Sequence, residues 1–262
     1  GPRSCYRKNR VEILLNNMVD KEIQSMLLPL NLMQNILFCP KYCIKNNFIT
    51  PNSIKSNIIT FFGTVVFILS FAYRIYRLYF DQEVFKYLSA VYHTSYYDCS
   101  FYCIGFTMSY IVSVKQTKNN IKIVLTIQKI HRFLSDKTSY KRFVIGNWLS
   151  VIIALSFYAI IFTLFCIRRN VPYYSVFTGF IVLSFDLSIV YAIRIIKLLV
   201  DKLVVWNIKA LNSEGIRDTE DKIFTKKMFQ AYANILQCYD IFRISFQQMV
   251  SMLSVAGSTG QC

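Results

Sequence analysis

Long apolar runs alternate along the chain with shorter stretches where polar and charged residues return. Near the start, Met26, Leu27, Leu30, Met33, Ile36 and Leu37 recur at three- and four-residue steps. That spacing predicts an amphipathic helix over 26–38, stopped by Cys39-Pro40 because the residue before a proline is pushed out of helical backbone. The helix reads either as an interfacial one leading into a membrane or as one packed on the protein's own inner face. Thr50-Pro51-Asn52-Ser53 then supplies turn residues. Four runs reach or approach the roughly 20 apolar residues needed to cross about 30 Å of hydrocarbon. Ile58–Tyr79 carries no charge before Arg74, and 91–114 is more polar, with His93, Thr94, Ser95 and Asp98 near its start. Phe143–Ile167 is uncharged, whereas Tyr173–Lys197 holds Asp186 inside it and Arg194 near its end. Ile244–Val255 is too short to cross and reads as the start of a fifth span.

The links are helical as well. Segment 115–142 predicts one continuous helix with a basic stripe (Lys115, Lys118, Lys122, Lys129, Arg132) and an apolar face (Ile123, Ile127, Ile130, Leu134). The stripe serves as a topology signal or as a contact for anionic lipid heads, and His131 on this helix is expected to be solvated. Beyond the fourth run the helical pattern persists over 195–211 and breaks at Asn212-Ser213-Glu214-Gly215. It resumes from Asp218, a capping residue type, through Phe246. Two such helices can pair with each other or with another subunit. The expected fold is therefore all-α, a polytopic helical membrane protein with four complete spans and the start of a fifth. Its regions are an N-terminal part (1–57), the spans (58–197) and a helical hairpin (198–262).

Composition sharpens the class. Over 262 residues, 54% are hydrophobic and 17% charged, which excludes a disordered chain and most soluble enzymes. Lys and Arg number 30 against 14 Asp and Glu, a formal net charge of +16. These cations concentrate in 3–55, 115–142 and 197–243. The other side holds only Arg74, Arg77, Lys86, Arg168 and Arg169, with Arg194 at the inner edge of span four. Positive charge marks the cytoplasmic side, so the N-terminus of a multi-pass membrane protein is expected inside. Because the basic residues alternate with apolar runs instead of lining one groove, nucleic acid is not an expected partner. No secretory signal peptide is expected, since Gly1–Arg10 is basic and the first long apolar run begins only at Ile58. The chain lacks an initiator Met and is expected to be a fragment, a processed product or an incomplete gene model.

Candidate chemistry is sparse. Phosphate-loop, zinc-protease, nucleophile-elbow and dinucleotide motifs are all missing, so an enzyme is not expected and no catalytic residue or cofactor is assigned. The eight cysteines form no framework, and Cys99 and Cys103, four apart, suit apolar packing better than metal. Asp98 and Asp186 ask for an explanation, because an ionisable group within a span is costly and tends to face the bundle interior or a watery cavity. At 1.5 Å per residue Asp98 lies roughly 11 Å below the outer boundary. Tyr73, Tyr102 and Tyr158 fall in the outer halves of their spans. Together with the two aspartates they can line an outward-open aromatic pocket for a small ligand. The plainer reading puts Asp98 near an interface and Asp186 hydrogen-bonded between helices.

Three stretches resemble the insect gustatory receptor family, relatives of the odorant receptors. They are Leu28–Tyr42 (LPLNLMQNILFCPKY) followed by Asn46–Ser53, the span-four exit Tyr191–Asn207, and Tyr232–Phe246 (YANILQCYDIFRISF). The leader is most similar to moth and butterfly members. The resemblance implies a seven-span receptor with a cytoplasmic N-terminus that assembles as a tetrameric, tastant-gated cation channel. In it an outer pocket takes the ligand, span seven lines the pore and cytoplasmic helices join the subunits, as a homo- or hetero-oligomer. The family's Thr-Tyr…Gln-Phe signature of the seventh span has no counterpart here, and Ser251–Cys262 does not resemble a family continuation. The chain is therefore expected to be the front part of a larger receptor. An odorant-type receptor of the same fold, and a four-span scaffold or transporter subunit, are the alternatives.

Overall fold

The computed structural model describes residues 17–37, 39–80, 103–108, 110–135, 137–169, 174–212 and 220–258. The chain is helical almost throughout these residues. Helix α1 (Lys21–Ile36) is followed by a hairpin of β1 (Cys43–Lys45) and β2 (Phe48–Thr50), then by α2 (Ile54–Phe80). Next come α3 (Cys103–Lys115), α4 (Thr117–Phe133), α5 (Lys137–Arg169), α6 (Tyr174–Asn212) and α7 (Glu220–Ser258).

Helix α1 packs on α5 and α6, α4 on α7, α2 on α6, and α6 on both α5 and α7. The main core joins Ile23, Leu27, Leu30 and Met33 of α1 to Ile123 and Ile127 of α4, Phe143 of α5, Leu187 and Ile195 of α6, and Cys238 of α7. Met26, Leu27, Leu30 and Met33 of α1 are thus buried against the protein itself, whereas Leu28, Leu32 and Ile36 remain exposed along its other side. The helix accommodates Pro29 in its interior. A second cluster, Ile130, Leu134, Ala231 and Ile235, seals α4 against α7. There Trp206 of α6 stacks at 5.0 Å on Tyr232 of α7 and donates from Nε1 to the Met228 carbonyl at 2.8 Å. The two long C-terminal helices therefore pair, and α6 runs unbroken past residue 197 to Asn212.

Two helices are long and apolar enough to cross a membrane among the described residues, over Ile54–Arg77 and Ser139–Leu164. The α5 stretch is hardly buried within the protein, and Ile145, Leu149, Ile153, Phe157 and Ile160 are exposed. A core helix of a soluble protein shows the opposite distribution. Of the second expected span, 91–102 lies outside the described residues and α3 is its later part.

Local structure departs from expectation at two places. The hairpin pairs Ile44 with Ile49 and Lys45 with Phe48, and its turn residues Asn46 and Asn47 have φ of 53° and 66°. Both values suit a two-residue turn that matches strand twist, and asparagine tolerates them. Segment 115–142 is also not one helix, because α4 ends at Phe133 and α5 starts at Lys137. The Phe133 and Leu134 carbonyls at the end of α4 accept from the ammonium groups of Lys209 and Lys202, both at 3.1 Å. Cations satisfy a helix's last carbonyls and favour its negative end.

Candidate functional site

The polar chemistry of the described residues gathers around α1, on side chains of α4, α5 and α6 that reach it or one another. At the start of α1, Arg132 of α4 grips Asp20 through Nε and Nη2, at 2.7 and 2.8 Å to the two carboxylate oxygens. Asp20 stands in the N-cap position yet makes no side-chain cap bond, because its carboxylate is engaged by the guanidinium. That guanidinium holds the Asp20 carboxyl below its usual range. Gln128 ties the same segment twice, accepting from the Asp20 N–H at 3.1 Å and donating to the Met18 carbonyl at 3.0 Å.

His131, expected to be solvated, is 3% exposed. Its Nε2 lies 2.9 Å from Glu22 Oε2, and its Nδ1 is buried with no hydrogen-bond partner among the described residues. A neutral ring that donates from Nε2 fits this seat, whereas a second proton on Nδ1 would be a buried donor without an acceptor. Burial accordingly lowers the His131 pKa, with Glu22 opposing and the Lys202 charge adding to the effect.

A second group crosses from α5 to α6. Asn147 donates to the Met26 carbonyl of α1 at 2.7 Å and accepts from Arg194 Nε at 2.6 Å. Arg194 also reaches the Phe143 carbonyl and lies 5.0 Å from the Phe143 ring. A Cβ on Gly146 would stand 2.6 Å from Arg194 Nη2, so the bare backbone there is what lets the guanidinium lie across α5. One amide and one guanidinium thus lock three helices.

A third group sits where the loop after α1 meets α6 and α7. Lys41 places its ammonium 3.9 Å from the centre of the Tyr191 ring, beside buried Tyr42. Burial holds the Lys41 pKa down to about 8. It pushes the Cys39 and Cys238 thiols up to about 11 and about 12, and Tyr42, also facing Tyr191, well above its ordinary value. Such thiols stay protonated and inert. Among the described residues no cluster of His, Cys, Asp and Glu could hold a metal ion.

The residues expected to line an outer pocket are distributed as follows. Tyr73 is exposed on α2, and Tyr158 is half-buried on α5 with the Phe157 ring 5.7 Å away. Asp186 lies on α6, the helix that packs against both α2 and α5. Asp98 and Tyr102 lie outside the described residues. The sequence reading missed Asn147, Lys41 and the His131–Glu22 pair. An amide carries no charge and so left span three looking featureless, although its neighbours Gly146 and Arg194 were both visible as exceptions within their runs. Comparisons with protein-family models, with curated proteins and with solved structures find no match for this chain.

Proposed function

We propose that the chain is a multi-pass membrane protein and part of a chemoreceptor of the gustatory type. The observation that carries the membrane part is the exposed apolar surface of α5, which is membrane-length and hardly buried within the protein. Water would penalise that surface by about 25 cal/mol per Å², and hydrocarbon removes the penalty. The polar groups agree with such surroundings. Thr163 and Ser150 on α5 turn their hydroxyls back onto the carbonyls four residues earlier, each at 2.7 Å, as a helix in lipid requires.

The taste part rests on the resemblance carried by 28–53, 191–207 and 232–246. In this reading the form bearing all seven spans binds a small tastant among Tyr73, Asp98, Tyr102, Tyr158 and Asp186 on the outer side. It then gates cation flow as a tetramer at the plasma membrane, without a cofactor or catalytic step. Calcium imaging of cells expressing that form against a tastant panel tests it. Asp98→Ala and Asp186→Ala are expected to abolish the response while surface labelling stays near wild type. Equal loss of response and surface protein would assign the aspartates to structure, and a receptor silent to every tastant would count against the reading.

A further inference from the structure

The basic side of α4 has more order than a topology signal needs. Lys118, Lys122 and Lys129 are exposed at four- and seven-residue steps along one line of the helix, while half-buried Leu125 between them packs against the main core. Nearly everything else on α4 is covered: Ile121, Val124 and Ile127 enter the main core, and Ile130 enters the seal against α7. The line is therefore the face that α4 leaves open. The protein matches cations elsewhere, Arg132 with Asp20 and Lys197 with Asp201. Among the described residues, Lys118, Lys122 and Lys129 have no ion-pair partner.

The position of α4 says what the missing counter-charge is. Its first residue is separated from the apolar helix α3 by Gln116 alone, and its last is four residues before Lys137 opens α5. On the membrane reading above, both ends of this rod, about 25 Å long, are tied to apolar helices that end at one boundary, and α4 runs along it.

We propose that the Lys118–Lys122–Lys129 line binds the phosphate-bearing headgroups of anionic lipids in the inner leaflet. This rests on the membrane reading above. Each lysine near an anionic surface strengthens binding about fivefold.

The test uses the 262-residue chain purified in detergent and titrated with dansyl-phosphatidylserine or dansyl-phosphatidylcholine. Energy transfer from Trp148 and Trp206 is read, and carbonate washing of the source membranes is run alongside. Wild type is expected to prefer phosphatidylserine, and the preference is expected to fall more than about tenfold in K118Q/K122Q/K129Q. It should survive in the triple arginine variant and weaken with salt. A chain that resists carbonate, yet shows equal phosphatidylserine preference in wild type and the glutamine variant, or none in either, overturns this inference alone. A chain released by carbonate overturns the membrane reading and this inference with it.

Discussion

The layer around the start of α1 and the membrane-length parts of α2 and α5 treat the same kinds of group in opposite ways. Around the start of α1, polar side chains reach across elements: Arg132 and Gln128 join α4 to the segment before α1, and Lys202 crosses from α6 to α4. In the long apolar helices the hydroxyls fold inward, with Thr60, Thr64 and Ser70 each bonding a carbonyl of their own helix four residues back. Apolar residues reverse as well. Leu30 and Met33 of α1 are fully buried while Leu149 and Ile153 of α5 are exposed. One region is stabilised by what it packs against, and the other leaves much of its apolar surface uncovered by the protein.

Substitution can break this contrast. The largest expected effect is Leu30→Ala, which opens a cavity in the main core and costs about 2–5 kcal/mol. The same truncation at Leu149 should stay within about 0.5 kcal/mol in a lipid-like detergent, both read from thermal unfolding. Next comes Asn147→Ala, which strips the Met26 carbonyl of its donor and Arg194 Nε of its acceptor, at about 1–3 kcal/mol. His131 gives a pH signature. Because its folded pKa is lowered, the unfolded chain takes up a proton first as pH falls below about 6.5. Stability is therefore lost as pH drops through that point toward the folded pKa, and unfolding midpoints of His131→Phe should depend less on pH there. The smallest effect is expected for Asp20→Asn, since its ion pair with Arg132 is largely exposed and such pairs contribute below about 1 kcal/mol.

What could be read from the sequence was what one element declares by itself. The persistence of α6 to Asn212 showed in the unbroken helical spacing, and the α7 line Met228–Tyr232–Ile235 announced a partner. Features set by distant residues did not show. His131 is buried through α1, 109 positions away, and α4 is finished by Lys202 and Lys209, 68 and 76 positions on. Basic neighbours made His131 look solvated, and nothing local revealed that α1 covers it. The hairpin was missed for a different reason. Asn46-Asn47 between Ile44 and Ile49 is a local turn signal, but three-residue strands are too short for alternation to stand out. Of the expected pocket, only the neighbouring helices of Tyr73, Tyr158 and Asp186 bear on the idea, through α6.

The contrast between the two regions is tested most directly by spin labels on single cysteines at Ile153 and at Lys118, in the otherwise cysteine-free chain reconstituted into phosphatidylcholine and phosphatidylserine liposomes. The label at position 153 should relax readily with oxygen and hardly at all with a water-soluble nickel chelate, and the label at 118 should show the reverse. Equal access of the nickel chelate to both positions would contradict the account, because it would put the apolar face of α5 in water.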